Sequence, residues 1–248
     1  RPKEVWTEFE TAYLSSSGTL CDTRPVSLQN LDWNLSLSDW GHLWGYGCFL
    51  SMLHDGQHEL HRPAFNEFEG GVFYGHDWKI NETFTLWNSV GGVWNPLFGY
   101  RNGNDATLWE YRCFQALKNP YVTPYYLMRR AYYPCDWCYW DVGLTRGWEL
   151  VDRLTMTVTL FGEFGNSRHF MAQYGPHPGG DGGYSNGLMA LNLTVRFDYA
   201  LTDWLGLFAF VHQFDVVSED ARDALDANTN PESLKDLTMF GIGVAVKF

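Results

Sequence analysis

The chain has 248 residues, a net charge of −12 and 17% aromatic residues, including 12 Trp and 14 Tyr. The acidic balance argues against a nucleic-acid partner, whose phosphates call for a basic surface. Mean hydropathy is −0.28 and no run of about 18 apolar residues occurs, which excludes a transmembrane helix but not strands that cross a membrane. The chain opens RPKEVW with no visible signal peptide and reads as a mature or trimmed form.

Alternation of apolar and polar residues predicts twelve strands. In chain order they cover 4–14, 28–38, 42–53, 65–78, 83–94, 107–117, 121–133, 138–149, 153–165, 187–200, 204–216 and 236–248. Most have the nine to eleven or so residues a tilted strand needs to cross a bilayer. In 153–165, Leu154, Met156, Val158 and Leu160 oppose Thr155, Thr157 and Thr159. In 187–200, Met189, Leu191, Leu193, Val195, Phe197 and Tyr199 oppose Asn192, Thr194, Arg196 and Asp198. The last strand puts Thr238, Phe240, Ile242, Val244, Val246 and Phe248 on one face and Met239, Gly241, Gly243, Ala245 and Lys247 on the other. Strand 204–216 is apolar on both faces and leaves His212 and Gln213 unplaced.

The links alternate in length. Those at 39–41, 79–82, 118–120, 150–152 and 201–203 are short; those at 15–27, 54–64, 95–106, 166–186 and 217–235 are longer, with 134–137 the exception. A soluble sandwich has no reason to sort loop lengths by parity. Asp-Trp recurs at the short turns, as Asp39-Trp40, Asp77-Trp78 and Asp203-Trp204. Asp suits the turn, and the Trp ring suits a lipid–water boundary.

The closing MFGIGVAVKF strand, the Asp-Trp turns and the loop parity resemble a bacterial outer-membrane β-barrel over the whole chain, close in architecture to small twelve-stranded porins. No specific family's functional motif is matched. The resemblance implies an all-β fold: one closed antiparallel transmembrane barrel of about 12 strands, a single domain over 1–248. Short turns and both termini would be periplasmic and the longer loops extracellular. It implies residence in the bacterial outer membrane, with the lipid bilayer and lipopolysaccharide as partners and no cofactor.

The polar faces are then the candidate lumen: Glu8 and Glu10, Asp32 and Asn34, Glu67 and Glu69, Glu110 and Arg112, Arg129, Asp141, Glu163, and Arg196 with Asp198. These groups either line a wet channel or knit into ion pairs that hold the barrel shut, since twelve strands lie between filled and open barrels. Acids outnumber bases. Counting along the strands sets Glu10 and Asp32 near mid-height, with Arg112 and Arg129 facing them, so a pore is expected to prefer cations. The expected function is passive passage of small polar solutes. The alternatives are a non-conducting surface-interaction barrel and a secreted β-sandwich that binds carbohydrate through its Trp and Tyr residues.

Other motifs carry less. His54, His58 and His61 in HDGQHELHR have a spacing open to a divalent metal, or form a polar loop. Cys135 and Cys138 are candidates for a disulfide, with Cys21 as a rival partner. Cys48 and Cys113 share faces with Trp44 and Tyr46 and with Trp109 and Tyr111, and read as lipid-facing packing. No His-x-Ser pair occurs, and the chain is not expected to be an enzyme.

Overall fold

A computed structural model describes residues 2–10, 13–14, 20–22, 26–52, 66–97, 106–133, 136–174, 184–227 and 235–248. Its strands are β1 (Pro2–Glu10), β2 (Tyr13–Leu14), β3 (Leu20–Asp22), β4 (Val26–Ser36), β5 (His42–Met52), β6 (Asn66–Lys79) and β7 (Thr85–Leu97). They continue with β8 (Ala106–Lys118), β9 (Thr123–Tyr133), β10 (Cys138–Val151), β11 (Leu154–Gly165), β12 (Gly187–Ala200), β13 (Leu205–Val216) and β14 (Asp236–Lys247). β1 and β4 to β14 form a closed antiparallel barrel, while β2 and β3 make a separate two-stranded ladder. The twelve predicted strands match the twelve barrel strands, most to within two residues at either end. Closure comes from the first and last strands: Val5 pairs with Val246, Thr7 with Val244 and Phe9 with Ile242. A closed sheet has no unpaired edge, which is what a strand needs to sit in lipid.

The outer face is apolar. Phe9, Leu31, Val72, Leu144, Leu160, Leu193, Phe240 and Ile242 are all exposed on it. Trp40, Trp78, Tyr121, Trp148 and Trp204 ring the end that carries the short turns. Trp94, Trp109 and Tyr132 stand toward the other end. These are the two aromatic girdles of a membrane barrel. Asn88 and Gln115, polar residues on the outer face, satisfy each other through a 2.9 Å hydrogen bond.

The turns follow their residues. At the first, Gly41 has φ +94°, a conformation side chains avoid, and a Cβ there would strike the Gly75 carbonyl. Asn119 Oδ1 accepts from the Tyr121 and Val122 amides, and Thr202 Oγ1 accepts from the Leu205 amide.

Two of the long links contain helices that the strand pattern does not anticipate: α1 (Ser167–Tyr174) and α2 (Glu219–Ala227). Each has a readable start. Asn166 Oδ1 accepts from the His169 amide at 2.9 Å, and Ser218 Oγ from the Ala221 amide at 3.4 Å. Glu219 and Asp220 lie in the first turn of α2, where the helix dipole favours them. The helices pack on the barrel through Phe170, Tyr184, Met189, Phe214, Ala221 and Ala224. Met189 is therefore buried under them and does not face lipid as the alternation suggested; the register shift opposite Glu163 and Phe164 turns it inward.

Candidate functional site in the barrel lumen

Cross-strand pairing assigns the inward side chains among the described residues, because directly paired residues share a face. Glu8 pairs with Leu28, Leu28 with Leu50, and Asn30 with Cys48. Cys48 pairs with Glu69, Trp44 with Phe73, and Gly91 with Arg112. The same ladder carries inward through Arg129, Tyr139, Asp141, Glu163, Thr194, His212 and Met239. Glu8, Glu10, Asp32, Asn34, Glu69, Glu110, Arg112, Arg129, Asp141, Glu163, Arg196 and Asp198 all lie on this inner face. The Glu67 backbone pairs with Leu50, and its side chain lies outside the described residues.

Three expectations change. Trp44, Tyr46 and Cys48 face the lumen, because β5 turns its Gly45, Gly47 and Phe49 face outward. Cys113, paired with Val90, does face out. Second, Glu10 and Asp32 do not meet at one height. Asp32 pairs with Glu4, and Glu10 pairs with Val26. Six residues of extended strand separate the two levels, about 20 Å. Counting from each strand's own end misses this offset, because barrel strands are tilted and staggered. Third, Cys138 carries a free thiol and opens β10, so it is not in the candidate disulfide. Cys135, His54, His58 and His61 lie outside the described residues, as does the Cys21 side chain.

The lumen is more aromatic than the sequence pattern implies. Tyr46, Phe73, Trp44, Trp87, Phe114, Tyr125 and Phe161 form a run of neighbouring rings, with centroids 4.2 to 6.4 Å apart. The run crosses β5 to β9 and β11 and ends at His212. Gly143 on β10 keeps it continuous, since Tyr125 and Phe161 occupy the space a side chain there would need. On β14 the inward glycines serve the same purpose. A Cβ at Gly243 would collide with the Phe208 ring and the Thr7 carbonyl.

Charges concentrate at one level, and most are buried: Glu110 is 7% exposed, Arg112 8%, Asp141 5% and Glu163 5%. Arg112 is fully engaged. It forks onto Glu69 at 3.0 and 2.9 Å, gives its Nε to Glu110 at 2.7 Å, and donates to the Tyr46 hydroxyl at 2.7 Å. Tyr46 in turn donates to Glu69. This fork geometry is specific to guanidinium and carboxylate. Arg129 lies 3.8 Å from Asp141 and 5.1 Å from the centre of the Tyr139 ring. Asp141 pairs directly across the ladder with Glu163. Among the described residues, Asp141 Oδ1 and Glu163 Oε2 have no hydrogen-bond partner. Beside them His212 Nε2 meets Asn192 Oδ1 at 2.7 Å, and its Nδ1 meets Thr194 Oγ1 at 3.3 Å. His212 is the inward group that the doubly apolar pattern of its strand hid.

Toward the turn end the lumen opens. A cavity of about 430 Å³ is lined by Glu149, Thr155, Asp198, Phe208, Ala245 and Lys247 among others. A second space of about 560 Å³ lies at the same end, between Asp77, Lys79, Thr85 and Lys118.

No protein-family model and no curated protein sequence matches the chain. Solved structures do. The chain is similar to a KdgM porin in complex with disordered oligogalacturonate, with 8% identity, a TM-score of 0.51, and coverage of 100% of this chain and 99% of that one. It is similar to the NanC porin, with 11% identity, a TM-score of 0.54, and coverage of 99% and 100%. It is also similar to the outer membrane phospholipase A from Escherichia coli, with 11% identity, a TM-score of 0.52, and coverage of 99% and 92%. At these identities the likeness is one of fold, and the fold is that of bacterial outer-membrane barrels.

Proposed function

We propose that the chain is a narrow, porin-like channel of the bacterial outer membrane that passes small polar solutes and prefers cations. One observation carries this reading. Among the described residues, the charged level of the lumen sets Glu69, Glu110, Asp141 and Glu163 against Arg112 and Arg129. An excess of carboxylates between low-dielectric walls attracts cations and repels anions. Glu8 adds to that field from β1 across the barrel, with Glu10 and Asp32 on either side of it along the strands. A polyuronate such as the KdgM ligand is an acid, so this lumen does not suit it. Two of the similar proteins are porins and one is a phospholipase. A hydrolase acting on lipid needs its nucleophile and base at the lipid face, whereas Thr194, His212 and Asn192 face inward.

Reversal potentials in a salt gradient across planar bilayers test the reading. A cation-selective wild type that loses selectivity in the combined Glu8→Gln and Glu10→Gln variant supports it. Anion selectivity, or no conductance, overturns it. The second outcome would favour a non-conducting barrel, a reading for which the Arg112 cluster speaks: a guanidinium held by two carboxylates and a phenol is an effective brace.

A further inference from the structure

The Arg112 cluster is satisfied, but its neighbour is not. Asp141 and Glu163 face each other across adjacent strands, each 5% exposed, and Asp141 Oδ1 and Glu163 Oε2 have no hydrogen-bond partner among the described residues. Among the described residues, one ion pair reaches the two carboxylates, from Arg129 to Asp141, and Arg129 also lies over the Tyr139 ring. Two buried carboxylates facing a single guanidinium are costly, and the natural complement is a ligand that brings a second positive charge.

We propose that Asp141 and Glu163 form a recognition site for a small organic ammonium, specifically a protonated amino sugar, on the inner face of the barrel. This deepens the channel reading above by naming a solute class. An ammonium group offers three donors around a compact charge, which suits two facing carboxylates. A bare divalent ion needs more: calcium takes six to eight oxygen ligands or so, and no group of three or more metal-ligating side chains occurs among the described residues. The surroundings supply the sugar part. Phe161, two residues before Glu163 on the same face, belongs to the run of rings and offers an apolar wall to a pyranose. Asn192 stands beside Glu163 and pairs across the ladder with Phe214, within the same inner layer. Hydroxyl partners lie below. Thr155, Thr157 and Thr159 lead along β11 from the turn-end cavity toward Phe161, and Thr159 contacts Thr145 at 2.9 Å.

Isothermal titration calorimetry on the refolded barrel in detergent tests the site, with glucosamine as the probe. Glucose removes the amine, and N-acetylglucosamine keeps the nitrogen but removes its charge. Binding of glucosamine at least about tenfold tighter than both controls supports the proposal. So does its loss in the combined Asp141→Asn and Glu163→Gln variant when Glu82→Gln, on the exposed turn between β6 and β7, leaves it unchanged. Equal affinity for all three sugars, or no binding of any, overturns it without reference to the variants. Undiminished binding in a folded double variant also overturns it. Conductance separates the two readings. A barrel that conducts cations but does not discriminate glucosamine keeps the channel and loses the site. One that binds glucosamine without conducting keeps the site and loses the channel.

Discussion

Arg112 shows how one side chain organises the lumen. Its five donors reach Glu69 on β6, Glu110 on its own strand and Tyr46 on β5, so three strands are tied at one point. The pairing offsets the cost of burying the charges but exceeds it by little. Removing one partner is different, because it leaves carboxylates buried without a counter-charge. Arg112→Ala is therefore expected to destabilise the barrel by about 3–5 kcal/mol, measured as a lower urea midpoint for unfolding from lipid vesicles. A wild-type midpoint in that variant would mean that water reaches Glu69 and Glu110 freely. Residue types in this cluster are readable from the sequence, since Glu69, Glu110 and Arg112 all sit on polar faces. Tyr46 is not, because an aromatic side chain is as much at home in a membrane girdle as in a lumen.

At the scale of single elements, the helices on the loop end are the clearest departure from a bare barrel. Asn166 and Ser218 are helix-start residues by type, but helices of eight or nine residues carry too few turns for periodicity to outweigh the surrounding strand pattern. Their packing on Phe214 and Met189 makes them stable. Asn166→Ala removes the side-chain bond to the His169 amide and should cost α1 about 1 kcal/mol. Hydrogen exchange at His169 and Phe170 should then speed up roughly fivefold, the factor that free energy corresponds to, with the barrel strands unaffected. Unchanged exchange there would show that packing alone holds the helix.

For the whole molecule, closure of β1 on β14 places both strand ends beside the short turns, and the helices at the opposite rim. In an outer-membrane barrel the short turns are periplasmic. A single cysteine at Asp223, in a variant lacking the native cysteines, should react with an impermeant maleimide on intact cells. One at Asp203 should react only after the outer membrane is breached. Labelling of Asp203 alone would invert the orientation. The same closure sets the stagger of neighbouring strands, and so decides which charges share a level.

The number of strands, their approximate ends, the lipid face of β14 and the sorting of short and long links are local properties, carried by period-two alternation and turn residues. They were fully present in the order of amino acids. Which face of β5 and β13 turns inward was not, because both faces of those strands tolerate lipid; only pairing with Glu69, Phe73, Asn192 and Thr194 settles it. The levels of Glu10 and Asp32 also depended on the tertiary structure, since register between strands follows from barrel tilt and stagger, which no single strand encodes. The carboxylate-rich corner at Asp141 and Glu163 belongs to that second class. Each carboxylate looks ordinary in its own strand, and only the ladder brings the two together while Arg112 is drawn away to Glu69 and Glu110.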